Sequence, residues 1–196
     1  MSSNHRHDAA RSCCGRFGEK KMKIVYIIGV SNHDYQIEPC GEFKDFLEAT
    51  CERNDIHTIA EEMNMEGLIQ RSAELTVAQC ISSSKQPPLQ HLLCDPDMQE
   101  RKKWGIENPP DVIVKALIAN LQQEETERLA QHEYRKRELF WLLKSFALTS
   151  FPDLFICGGM HVVPFSQLLN WAGFETKVLE ESWTPNQTWE GVDHGD

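Results

Sequence analysis

The sequence predicts an α/β fold: a mostly parallel sheet of about five strands, helices on both faces, and a long helical insertion before the fourth strand. Three observations carry this expectation. Short apolar runs alternate with helical patterns, as in βαβ units. The first run, MKIVYIIGV at 22–30, is apolar throughout and rich in β-branched residues, as in a strand buried on both faces. A run of the same kind, DLFIC at 153–157, recurs late in the chain and breaks on Gly158 and Gly159.

The elements follow in order. After the first strand, the loop 31–41 leads to a helix over 42–54, where Phe43, Phe46, Leu47 and Thr50 fall at helical spacing. IHTIAEEM at 56–63 is the second strand, and residues 65–81 form one loosely periodic helix. A loop at 82–88 precedes the third strand, LQHLLCDPD at 89–97, which ends in a turn. Pro110 sits as a first-turn proline in a helix over 109–123. The helix over 124–148 carries Leu139, Leu142, Leu143 and Phe146 as an i, i+3, i+4, i+7 stripe. The fourth strand is followed by a helix over 162–173 closed by Gly173, and then by the fifth strand, FETKVLEE at 174–181.

At 196 residues the chain suits one domain, spanning 22–181. Residues 1–21 are polar and aperiodic and read as a disordered tail. Residues 182–196 read as a second tail that docks through Trp183 or Trp189. The net charge of −10 argues against a nucleic-acid partner and against an anionic membrane surface. No apolar run approaches the roughly 20 residues of a membrane span, and the N-terminus lacks the apolar core of a secretory signal. Seven cysteines without regular spacing fit reduced thiols, so a cytoplasmic location is expected.

In open α/β sheets ligands bind at the carboxyl ends of the strands. Four strand ends here are polar. The first delivers His33, with Asp34 and Gln36 close by; the second ends at Glu61-Glu62; the third at Cys94-Asp95-Pro96-Asp97; the fourth at Gly158-Gly159-Met160-His161. Each feature has an ordinary structural explanation alone: a loop histidine, a surface turn, a helix cap. Their recurrence on one rim points to a site. His33, Glu61, Asp95 and His161 are the candidate ligands of a divalent metal, Mn, Zn or Mg, that keeps an open position for water. Without a metal, Glu62 or His161 would activate water as a general base, with Arg135 holding developing charge and orienting Glu138. Gln36, Asp97, Gly158 and Gly159 would bind substrate.

Gly158-Gly159-Met160-His161 is a G-x-x-H strand end, and Gly29-Val30-Ser31-Asn32-His33 is a version longer by one residue. With the glutamates after the second strand, this resembles the superfamily of erythromycin esterase-like, ChaN-like, TraB/PrgY-like and TIKI proteins. The resemblance implies an α/β fold over roughly residues 22–180 and hydrolysis of an ester or peptide, in some members metal-assisted. The segments CDPDMQERKKWGI and YRKRELFWLL also resemble those of small bacterial proteins without an assigned activity. The expectation is a hydrolase for an ester, amide or peptide-like small substrate. A Mg- or Mn-dependent phosphoesterase using Asp95 and Asp97 is one alternative, and a non-catalytic module for a small ligand or metal is another.

Overall fold

The computed structural model describes residues 23–37 and 41–185; the expectations for residues 1–21 and for Trp189 lie outside them. The first apolar run is β1 (Ile24–Val30), which passes through a 3-10 turn (His33–Gln36) to α1 (Gly41–Arg53). Next come β2 (Thr58–Glu61), α2 (Met65–Gln70), α3 (Val77–Ser84) and β3 (Gln90–Leu93). The helical insertion is α4 (Met98–Trp104), α5 (Pro109–Ile118) and α6 (Gln123–Phe146). The chain closes with β4 (Asp153–Gly158), α7 (Gly159–Trp171) and β5 (Glu175–Trp183).

The five strands form one sheet in the order β3-β2-β4-β1-β5, and every adjacent pair is parallel. Successive side chains of a strand face opposite sides. Tyr26, Ile28 and Val30 of β1 therefore pack with Phe43 and Leu47 of α1 and Ile81 of α3. Val25 and Ile27 pack on the other side with Trp141 of α6 and Phe165 of α7. From β1 the chain runs over the α1 side to β2; from β4 it runs over the α7 side to β5. The two connections leave neighbouring strands in opposite directions on opposite faces. This is the arrangement that opens a crevice at the carboxyl ends of β4 and β1.

Several details depart from the sequence reading. The single helix expected over 65–81 is two, because the chain turns at Ser72 (φ 53°) and restarts on a capping box between Thr76 and Gln79. The turn expected after β3 instead starts α4, whose N-terminus is held by Asp97. Along α6 the expected stripe is not the buried one. Leu142 is buried, but Leu139, Leu143 and Phe146 are each about half exposed. The buried residues of the helix are Thr126, Ala130, Glu133, Glu138, Phe140, Trp141, Leu142 and Ser145. Trp141 packs on Phe155 and Phe165 at ring separations of 5.6 and 5.5 Å. β5 extends to Trp183, whose buried ring packs on Phe43 at 4.8 Å, so the domain's ordered edge lies beyond residue 181.

Candidate active site

The crevice gathers side chains from the segments that follow β1, β2 and β3 and from α4, α6 and α7. The backbone pins the strand ends: Glu62 N–H donates to Ile156 O at 2.7 Å, Asp95 N–H to Met63 O at 3.1 Å, and Ser31 N–H to Trp183 O at 3.1 Å. Because β2, β4 and β1 are neighbours, the residues that follow them meet. Glu62 Oε1 lies 3.8 Å from His33 Nε2 and 3.8 Å from His161 Nε2. Its other oxygen accepts the Gly158 N–H at 2.8 Å, at the N-terminus of α7, where the helix dipole favours a carboxylate.

Guanidiniums balance the carboxylates. Arg137 Nη2 donates to Glu62 Oε1 at 2.7 Å and to Asp95 Oδ1 at 2.6 Å. Arg101 Nη2 donates to Asp95 Oδ2 at 2.7 Å. Burial alone would pull the Arg137 pKa down; Glu62 and Asp95 outweigh it and hold the guanidinium above its ordinary range. Arg137 also stacks over the Trp141 ring at 5.4 Å.

His161 is buried between Tyr134 and Trp141, edge-on to both at 5.2 and 5.0 Å. Its Nδ1 lies 2.8 Å from Glu138 Oε1, and Glu138 Oε2 accepts from Arg135 Nη1 at 2.6 Å. A carboxylate only accepts, so Nδ1 carries a proton in this pair, and Nε2 is turned toward Glu62 and the cleft. The cleft consists of two hollows of 290 and 380 Å³ that share His33, Glu62, Arg101 and Arg137. Gly158 lies among these groups: a Cβ there would sit 3.2 Å from His33 Nε2 and 3.5 Å from Glu62 Oε2.

The expected residues divide accordingly. His33, Glu62, Asp95, Gly158 and His161 border the cleft. Glu138 stands behind His161. Arg135 pairs with Glu138 from the solvent side, its side chain 55% exposed, and Arg137 takes the place in the cleft that the sequence reading gave to Arg135. Glu61 faces the opposite side of the sheet, where it accepts from Thr76 Oγ1 at 2.5 Å and pairs with His91 Nε2 at 2.7 Å. Asp97 is committed to the α4 cap, accepting the Glu100 N–H at 2.7 Å. Gln36 is fully buried and does not border the cleft. Gly159 contributes close packing rather than a ligand contact, since a Cβ there would lie 2.8 Å from Glu181 O.

The four expected metal ligands are therefore not gathered. Among the described residues no three His, Cys, Asp or Glu side chains are grouped to hold a metal ion. Arg137 lies against the Glu62 oxygen nearest both histidines, and Asp95 is engaged by two arginines, so this donor set does not fit a dication. Burial pushes the thiols of Cys94 and Cys157 well above their ordinary range, which leaves them poor nucleophiles. No helix among the described residues is long and apolar enough to cross a membrane. The chain matches no family model, no curated protein and no solved structure with which it was compared.

Proposed function

We propose that the chain is a hydrolase that cleaves an ester, amide or peptide-like bond in a small substrate, with His161 as the general base. The observation that carries this reading is the His161–Glu138 pair. A buried carboxylate pins Nδ1 at 2.8 Å and turns Nε2 to the cleft wall, the arrangement of a base with its orienting partner. The likeness of Gly158-Gly159-Met160-His161 to the G-x-x-H strand end of esterase-like proteins supports the same reading.

In this mechanism His161 Nε2 takes a proton from water as the oxygen attacks the acyl carbon. Glu62 and the Glu138 carboxylate stabilise the imidazolium that forms. Arg137 and Arg101 lie within the same cleft and offset the negative charge that develops on the carbonyl oxygen. As the tetrahedral species collapses, the acyl C–O or C–N bond breaks and His161 returns its proton to the leaving group. Water thus supplies a hydroxyl to the acyl carbon and a proton to the alcohol or amine. The buried, protonated thiols of Cys94 and Cys157 fit a reducing, cytoplasmic setting.

The test is turnover of a panel of chromogenic esters and anilides by wild type, His161→Ala and Glu138→Gln, with folding checked by circular dichroism. His161→Ala is expected to lower kcat by about 10²–10⁴-fold, the range typical of a lost general base. Glu138→Gln is expected to move the pH profile as well as the rate. Turnover of a folded His161→Ala variant within a few-fold of wild type would rule the mechanism out.

A further inference from the structure

A second, apolar hollow adjoins the cleft beside His161. Tyr134 and Met160, which line the hollow containing His161, also line a 720 Å³ groove between α5, α6 and the start of α7. Ile113, Leu117, Leu121 and Ala130 form the rest of its apolar wall. Its volume falls within the range of small-molecule sites, and its lining contrasts with the ionic cleft next to it. Leu117 is 63% exposed and Met160 62%, so two large apolar side chains stand bare beside a set of paired charges. Among the described lining residues Glu127 is the only ionised group and no Lys or Arg is present, so nothing there would hold an anionic end.

Building on the hydrolase reading, we propose that this groove receives the apolar acyl chain of the substrate. The scissile carbonyl then lies over Glu62 and His161, and the chain passes the Tyr134–Met160 wall into the groove. The substrate class is an ester or amide of a medium-chain or bulky apolar acid. Adjacency decides the occupant: the groove and the reacting end share Tyr134 and Met160 as a common wall, and the Tyr134 ring packs edge-on to His161 at 5.2 Å.

Binding without turnover tests the proposal separately from the chemistry. Sodium alkanoates from butanoate to dodecanoate are titrated calorimetrically into wild type, His161→Ala, Leu117→Glu and Ile113→Gln. In wild type, affinity is expected to rise about fourfold per added methylene until the groove is full. His161→Ala is expected to keep that slope. Leu117→Glu, which places a charge on an exposed wall without touching the core, is expected to abolish it, and Ile113→Gln to reduce it. Chain-length-independent affinity in wild type overturns the proposal, as does an unchanged slope in both groove variants. Self-association that Leu117→Glu dissolves also overturns it, because a second copy then covers the groove. A normal slope in a protein that turns over none of the matching chromogenic esters keeps the groove as a ligand site and removes the hydrolase reading instead.

Discussion

Asp153 opens β4 with its carboxyl fully buried and neither oxygen hydrogen-bonded among the described residues. Burial pushes its pKa from 3.8 up to about 8; the Leu154 amide pulls the other way but forms no well-made bond to either oxygen. The folded state therefore binds a proton that the unfolded state releases, across the whole interval between those values. Stability from this group is fully present below about pH 4 and is lost as pH rises to about 8. Each pH unit in that interval costs about 1.4 kcal/mol, so on the order of 3 kcal/mol disappears between about pH 5.5 and pH 8. Asp153→Asn keeps the shape and cannot ionise. Urea unfolding of both proteins at the two pH values isolates the effect, since every other titrating group is common to them. The variant should gain about 3 kcal/mol on wild type between the lower pH and the higher one, at equal m-value. A wild-type-minus-variant difference that is the same at both pH values would show that the carboxyl is hydrated or paired in solution, and the burial argument would fail.

Three further outcomes follow from the cleft. Arg137→Leu leaves Glu62 and Asp95 without their shared guanidinium and should lower unfolding free energy by about 3–5 kcal/mol in urea titrations; a loss under 1 kcal/mol would mean that Arg101 and solvent already compensate. Gly159→Ala forces a methyl to 2.8 Å from the Glu181 carbonyl and should cost about 1–3 kcal/mol, whereas Gly158→Ala, at 3.2 Å from His33 Nε2, should depress activity more than the unfolding midpoint; the reverse ranking would misplace both glycines. Exhaustive chelation followed by an activity assay should leave turnover unchanged, because Arg137 already engages the carboxylate a metal would need; activity lost to chelator and restored by Mn, Zn or Mg would overturn this.

The sheet was legible because its central strands β1 and β4 are buried on both faces and read as continuous apolar runs with no competing period. The convergence of His33, Glu62 and His161 followed from strand ends lying on one rim, although the order that makes β2, β4 and β1 neighbours was not readable. Helix α6 misled for a physical reason. Half of its buried residues are polar, with Glu133 and Glu138 turned inward against Lys136, Arg135 and His161, so a hydrophobic stripe was the wrong signal. Arg137 was missed with it. It lies four residues before Trp141, on the aromatic ridge, and that spacing would have located it had Trp141 rather than Leu142 been taken as the centre of the buried face. Arg101 was hidden by the absence of any sign that 98–104 is a helix, apart from the capping pattern Asp97…Glu100.

The two adjacent glutamates show how a single strand separates structure from chemistry. Glu61 is the last residue of β2 and faces α3, where Thr76 and His91 claim one of its oxygens and tie the α3 cap and β3 to the centre of the sheet. Glu62, one residue on, faces α6 and α7, where the Gly158 amide and Arg137 hold it beside two imidazoles. The period of two along a strand makes the choice, not the chemistry of the side chain, which is identical. A glutamate pair at a strand end thus places one carboxylate in the scaffold and one in the cleft. It also explains why the ligand set drawn from the sequence did not assemble: His33 and His161 meet the second glutamate, and the first is held on the opposite face of the sheet.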